Sequence, residues 1–350
     1  MLVLVPVALL IELVPRVGAP VVFFVAALAI VPVARLIGQS TEHLTHYTGD
    51  SIGGLLNALF GNLPELIIGL VALKAGLYAM VAASLVGAIL FNLLLVLGLC
   101  FLLGGLRYHT LVFNVRAVRV YSTMMFISVM SLALPSIYER AFGSGGPTIA
   151  QEKINIGLAV LLLALFALYL VFMIRTHPEE FASVASDAAA PEHEIPWSLR
   201  LCIVVLLGSS IVAAILSEVL VGAVEGTGEA LGLSSTFLGI VLLASVGAAA
   251  EASSAISMAR KGRFDLSLSI ALGSCILIAI FVAPVLALAS YFLGPHSFVL
   301  AFGGGSIAML FLSVLIGAMV ASGESANWYK GAQLIAVYLM IALLLYFVPL

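Results

Sequence analysis

Two acidic side chains lie in stretches of sequence that have almost nothing else polar to offer. Glu65 closes Gly61-Asn62-Leu63-Pro64-Glu65 inside an apolar run over 52–73, and Glu251 closes Gly247-Ala248-Ala249-Ala250-Glu251 inside another over 237–258. A charged side chain at the centre of a bilayer costs roughly 2.5–3.5 kcal/mol even on lenient insertion scales. The two stretches are 186 positions apart, and the same offset lays Gly76 on Gly262, Gly87 on Gly273 and Lys74 on Arg260. The positions that agree are glycines and a buried acid, where substitution is most constrained, so we read two copies of one helical hairpin. Glycine beside the acid, with proline in the first copy, is expected to bend or break each helix. Carbonyls freed there are tolerated at membrane depth only where protein or a water-filled cavity receives them.

Composition fixes the solvent. The chain has 350 residues, 63% hydrophobic and 9% charged, with a mean hydropathy of +1.26. Soluble domains carry about 25% charged residues, so the surroundings here are lipid. No basic patch suggests nucleic acid, and the net charge of −3 says nothing about partners. Cys100, Cys202 and Cys275 fall in apolar runs without pairing or metal-ligand spacing and read as small hydrophobes.

A bilayer needs about 20 residues per helix, and we count about eleven candidate spans, at 2–15, 19–39, 52–73, 78–103, 118–134, 154–174, 199–221, 237–258, 266–293, 298–320 and 326–348. Lysine and arginine give orientation. Ten of the fourteen (Arg35, Arg107, Arg116, Arg119, Arg175, Arg200, Arg260, Lys261, Arg263, Lys330) fall on one side of this arrangement and four (Arg16, Lys74, Arg140, Lys153) on the other. The richer side, and with it the N-terminus, is expected in the cytoplasm.

The one long polar stretch, 176–197, is acidic through Glu179, Glu180, Asp187, Glu192 and Glu194. It reads as a solvated connector or, more sharply, as a cation-collecting segment. It divides the chain into an N-terminal helix (1–17), a first five-helix repeat (18–175), the linker (176–197) and a second five-helix repeat (198–350). An odd number of spans per repeat forces the copies into opposite orientations, the inverted-repeat plan of many secondary transporters, with the site at the midplane between repeats. The expected fold is therefore an all-α polytopic membrane protein of about 11 transmembrane helices, with two inverted five-helix repeats plus an N-terminal helix.

The polar residues inside the spans share a chemistry. Asn62 and Glu65 are three apart on one helical face, Ser84 and Asn92 line one stripe of the next helix, Glu251 and Ser254 share a face, and Ser274 occupies the column of Ala88. Carboxylates, amide carbonyls, hydroxyls and freed backbone carbonyls are hard oxygen donors suited to calcium, magnesium, manganese or sodium, not to zinc or copper. Two glutamates in a low-dielectric site cannot both stay ionised without a counter-charge. One divalent ion or two protons would neutralise the pair, and competition between them makes an exchanger. Glu42 and Glu218, expected at the ends of the second and seventh spans, are candidates for passing protons or collecting cations at a mouth, or else are solvated. His43 and His46 lack an accompanying metal-site motif and read as interfacial, and Glu12, Asp50, Glu225 and Glu229 as surface groups.

Gly53-Gly54-Leu55-Leu56-Asn57-Ala58-Leu59-Phe60-Gly61-Asn62-Leu63-Pro64-Glu65, followed by Ala82-Ala83-Ser84-Leu85-Val86-Gly87-Ala88-Ile89-Leu90-Phe91-Asn92, resembles the first-repeat signature of the cation/proton exchanger family, calcium/proton antiporters of the calcium/cation antiporter superfamily. Thr41-Glu42, Ser217-Glu218, Ala271-Leu272-Gly273-Ser274 and Asn327-Trp328 resemble further family elements, and the likeness covers nearly the whole chain. It implies calcium bound between the repeats by Glu65 and Glu251, with Asn62 and neighbouring carbonyls contributing, and a proton route through the same acids. The second repeat departs from the family pattern: Ala248 replaces an asparagine, Ala252 a histidine, Leu277 a glutamine, and Ser322 an acid before the last span. That half is drier.

The expected function is a secondary antiporter exchanging calcium for protons, with no cofactor beyond the transported ion. Cation ligands are expected from Glu65, Glu251, Asn62, Asn92, Ser84 and Ser274, and a proton pathway from Glu65, Glu251, Glu42 and Glu218. Calcium, protons and the lipid bilayer are the partners, with self-association left open. The expected location is the cytoplasmic (inner) membrane of a prokaryote. An exchanger of another cation is the alternative reading. An intramembrane enzyme is a weaker one, since Ser144 in Gly143-Ser144-Gly145-Gly146 has no base in view; so is a channel.

Overall fold

The computed structural model describes residues 2–12, 14, 17–142, 149–181, 197–321, 323 and 325–347. Most of the acidic linker, Ser144, Arg16 and Ser322 lie outside the described residues, as do the side chains of Glu12, Asp50 and Arg140. The first half runs through α1 (Leu4–Glu12), α2 (Ala19–Gly61), α3 (Leu63–Lys74), α4 (Tyr78–Leu90), α5 (Leu97–Tyr108), α6 (Val115–Phe142) and α7 (Ile149–Val171). The second holds α8 (Leu199–Leu231), α9 (Ser235–Phe237), α10 (Ala244–Gly247), α11 (Ala249–Arg260), α12 (Phe264–Leu277), α13 (Ala283–Leu293), α14 (Gly304–Ala321) and α15 (Trp328–Tyr346). π-helical turns at Phe91–Val96 and Ile278–Val282 join α4 to α5 and α12 to α13, and a third at Leu238–Leu243 joins α9 to α10. Two short strands, Leu111–Val112 and Ser325–Ala326, pair antiparallel across one end.

Among the described residues eight helices are long and apolar enough to cross a bilayer, or nine if the bent pair α9–α10 and α11 counts as one span. Two expected spans fall short. α1 is nine residues long, and the span at 52–73 is split between the tail of α2 and the separate α3. The stretch 40–51, which falls between two expected spans, is helical and makes α2 continuous. Thr41, Thr45 and Thr48 donate their hydroxyls to the carbonyls of Ile37, Glu42 and Leu44 at 2.9, 2.7 and 3.3 Å, so their polar groups are satisfied without leaving the helix. α8 likewise extends beyond its expected end to Leu231, where Gly232 (φ 65°) takes the left-handed conformation that closes helices. Glu42 and Glu218 therefore lie within helices, not at their ends; Glu225 and Glu229 are exposed, as expected.

Burial sorts the helices into layers. Within their apolar windows 83% of Tyr78–Tyr108 and 72% of Phe264–Leu293 is buried, against 22–44% in the other unbent spans. These two segments are the inside of the molecule; the other unbent spans are less than half buried. Gly87 makes the inner packing possible, because a Cβ there would lie 2.2 Å from the carbonyl oxygen of Ile240. A separate apolar cluster joins α1, α2 and α8, with Phe23, Ile30 and Ile37 against Leu216 and Leu220. α3 and α11 end alike, on Gly76 (φ 79°) and Gly262 (φ 80°). At one end of the bundle His43 stacks on Trp197 with centroids 4.6 Å apart, and Tyr47 Oη donates to Trp197 O at 2.7 Å.

Candidate functional site

Both glutamates take up their place in the same way. Each of the two helical segments breaks at one residue, Asn62 (φ −94°, ψ 18°) or Ala248 (φ −80°, ψ 0°), and restarts immediately. Pro64 has no N–H, so the first break interrupts the helical ladder for a covalent reason. The second has no proline, yet α11 leaves the axis of α9–α10 by 59°. Counting from these break residues, Glu65 and Glu251 are each the third residue of the new helix. Its exposed N–H groups and partial positive charge favour an anion in that first turn.

The two breaks face each other. A Cβ on Gly61 would lie 3.6 Å from Glu251 Oε1, and one on Gly247 would lie 3.1 Å from Glu65 Cγ. Each glycine clears the space in front of the other half's carboxylate. Ser274, on α12, ties the halves together: its Oγ is 3.0 Å from Asn62 Oδ1 and in close contact with Glu251 Oε2, and it accepts from Asn92 Nδ2 at 3.1 Å. Asn62, Asn92 and Ser274 are buried. Both carboxylate oxygens of Glu65 and the Oδ1 of Asn92 are buried with no hydrogen-bond partner among the described residues. Buried acceptors are nearly always satisfied in folded proteins, so three such oxygens beside a second carboxylate form a cradle in want of a cation or of protons.

The other expected residues make no hydrogen bond to this group among the described residues. Ser84 donates to its own helix at Val81 O (2.9 Å). Ser254 is exposed. Glu42 is exposed on α2, and Glu218, on α8, pairs with Lys74 at 3.1 Å, with 58% and 69% of the two side chains exposed. No group of three or more His, Cys, Asp or Glu is found among the described residues; the cradle mixes two carboxylates with amide and hydroxyl oxygens. Cys275 donates to Ala271 O and Ile89 O at 3.2 and 3.5 Å, as a small packing residue. What sequence reading missed is the link from Asn92 to Ser274 and the role of Gly61 and Gly247. Periodicity reports faces within a helix and carries no signal for contacts between halves; only the shared column of Ala88 and Ser274 pointed there.

The chain matches the sodium/calcium exchanger protein family over residues 18–175 and 201–347. It is 38% identical over 339 residues to a Ca(2+)/H(+) antiporter of Aphanothece halophytica, covering 94% of this chain and 90% of the relative. It is 37% identical over 324 residues to the Ca(2+)/H(+) antiporter ChaA of Bacillus subtilis (strain 168), covering 92% and 91%. The solved structure of native YfkE is similar, with a TM-score of 0.83, 34% identity and coverage of 98% of this chain and 97% of that one. The chain belongs to the sodium/calcium exchanger protein family and, within it, to the cation/proton exchangers.

Proposed function

We propose that this chain is a secondary antiporter that exchanges calcium for protons across a membrane, with Glu65 and Glu251 binding either the cation or protons. The observation that carries this reading is the pair of broken helices. Each sets a glutamate in the first turn of its half-helix, facing the other's glycine, and the oxygens of Glu65 have no hydrogen-bond partner among the described residues. Calcium takes six to eight oxygen ligands. Glu65, Glu251, Asn62, Asn92, Ser84 and Ser274 supply carboxylate, amide and hydroxyl oxygens, with carbonyls near the breaks completing the set; Ser84 donates its proton to Val81 O and keeps its lone pairs. Ser274 has one proton to give and two acceptors in reach, so without a cation the second contact is filled by a proton on Glu251. The names of the relatives, Ca(2+)/H(+) antiporters spanning nearly the same length, agree.

The matching breaks, π turns and left-handed glycines support two inverted five-helix repeats (18–175 and 198–350) after the N-terminal helix, eleven helices in all. Alternating access then comes from movement of the α1, α2 and α8 layer against the inner helices. Glu42 and Glu218 sit on that layer as proton or cation collectors at opposite mouths. The lysine- and arginine-rich end, where the linker joins Trp197, is read as cytoplasmic, in a prokaryotic inner membrane.

The alanines at 248 and 252 favour a second reading, in which another cation replaces calcium. Sealed proteoliposomes with a trapped pH dye separate the two. Calcium-driven proton release that saturates, with sodium, potassium, magnesium and manganese inactive, is the expected result. Release driven by another cation alone contradicts calcium, and no proton movement with any cation contradicts the exchanger.

A further inference from the structure

The end of the bundle that carries the linker holds a crevice that the exchange site does not use. It opens between α6 and α7 and encloses about 740 Å³. Along α6 the lining changes from Arg116 and Arg119 in the first turns to Val120 and Met124 further in; along α7, Leu165 and Leu168 lead out to Phe172 and His177. It is charged at the helix ends and apolar along the helix walls. Leu168 is 66% exposed, so the apolar part is open to the bilayer.

The mouth carries an unbalanced positive charge. Arg116 Nε lies 3.9 Å from Glu180 Oε2, a distant pair whose arginine side chain is 70% exposed. The guanidinium of Arg119 has no partner among the described residues. His177 is held at the rim, its ring stacked on Phe172 at 4.6 Å and its Nδ1 3.0 Å from Thr176 Oγ1. The floor of the mouth is fixed: Asn114 Oδ1 accepts from the N–H groups of Arg116 and Ala117, and Asn114 Nδ2 donates to Glu180 O at 2.9 Å. One further acid and a basic turn lie close by: Asn114 N donates to Asp265 Oδ1 at 2.6 Å, which brings the α6 start near the Arg260-Lys261-Gly262-Arg263 turn.

We propose that this crevice binds an anionic phospholipid from the leaflet on the basic side. Its phosphate sits among Arg116, Arg119 and His177, and one acyl chain lies along Val120, Met124, Leu165 and Leu168. A free phosphate would leave the apolar walls bare, and a zwitterionic headgroup would leave the positive mouth uncompensated. Basic pockets between membrane helices recognise anionic headgroups on these grounds. The inference rests on this crevice and is independent of which ion is exchanged.

Native mass spectrometry of the full chain in detergent tests it, with phosphatidylglycerol, phosphatidylcholine of the same chains, and glycerol 3-phosphate as probes. Each basic side chain near such a headgroup is worth about fivefold in affinity. Phosphatidylglycerol is expected to bind at least fivefold more tightly than phosphatidylcholine. Arg119→Gln should lower its affinity about fivefold, Glu180→Gln should raise it, and Lys153→Gln, at the opposite end, should leave it unchanged. Arg119 and Lys153 are exposed, so neither variant threatens folding. Equal binding of the two lipids, an unaffected Arg119→Gln, an equal loss in Lys153→Gln, or displacement by glycerol 3-phosphate would each overturn the proposal.

Discussion

At its break the first half places Glu65 after an asparagine and a proline, and both carboxylate oxygens are without a hydrogen-bond partner among the described residues. The second half places Glu251 after three alanines, and its carboxylate leans on Ser274. The local geometry is nearly the same, and the polarity is not. Read as two independent repeats, the second lacks the amide that the first has in Asn62. Read as one site, the lack is made good: Ser274 comes from the second half and is held by Asn62 and Asn92 from the first. Polarity between the halves belongs to the pair: Ser274 of the second half and Asn62 and Asn92 of the first form one hydrogen-bonded group.

The strongest way to break this comparison is to neutralise each acid in turn. Glu65→Gln and Glu251→Gln should each abolish cation-driven proton movement in proteoliposomes while leaving elution of the purified protein unchanged. Transport retained in either variant would make the halves unequal in function as well as in surroundings. The dependence on pH comes next. One divalent ion competes with up to two protons for the same oxygens, so calcium binds more weakly as pH falls, by up to about a hundredfold per unit. Either glutamine variant should cut that to about tenfold at most, and calcium titrations at several pH values read the slope.

Ser274→Ala should cost less than losing an acid. It strands Asn62 Oδ1, Asn92 Nδ2 and Glu251 without their shared hydroxyl, and an unsatisfied buried group costs about 1–3 kcal/mol. Both the melting temperature and calcium affinity should fall, with Ser274→Thr restoring part of each. The facing glycines sharpen the comparison further. Gly247→Ala puts a methyl 3.1 Å from Glu65 Cγ, tighter than ordinary contact, whereas Gly61→Ala puts one 3.6 Å from Glu251 Oε1. The first should weaken calcium binding more than the second. The smallest effect is expected at the exposed Lys74–Glu218 pair, where Lys74→Gln should change stability by less than about 1 kcal/mol.

Much of the site was legible in the sequence because the membrane makes polarity conspicuous. Glu65, Glu251 and the glycines that precede them stand out in apolar runs, and the shared offset of 186 aligned them before any coordinates. Ser274 was reachable through its column with Ala88. The continuation of α2 through 40–51 was not, because Ser, Thr and His in a polar run suggest a loop unless their hydroxyls are known to fold back onto the preceding turn. Glu42 is expected at a helix end for the same reason; Glu218 is expected there because about 20 residues suffice to cross a bilayer, whereas α8 runs on to Leu231.

The most direct test of the shared site counts protons. Calorimetric titration of the purified protein with calcium, in buffers of differing ionisation enthalpy, gives the number of protons released per ion bound. Wild type should release more than one proton per calcium at low pH, and Glu65→Gln and Glu251→Gln should each release no more than one, with weaker binding. Calcium binding without proton release, or release unchanged in both variants, would contradict a single site in which two carboxylates hold either the cation or protons.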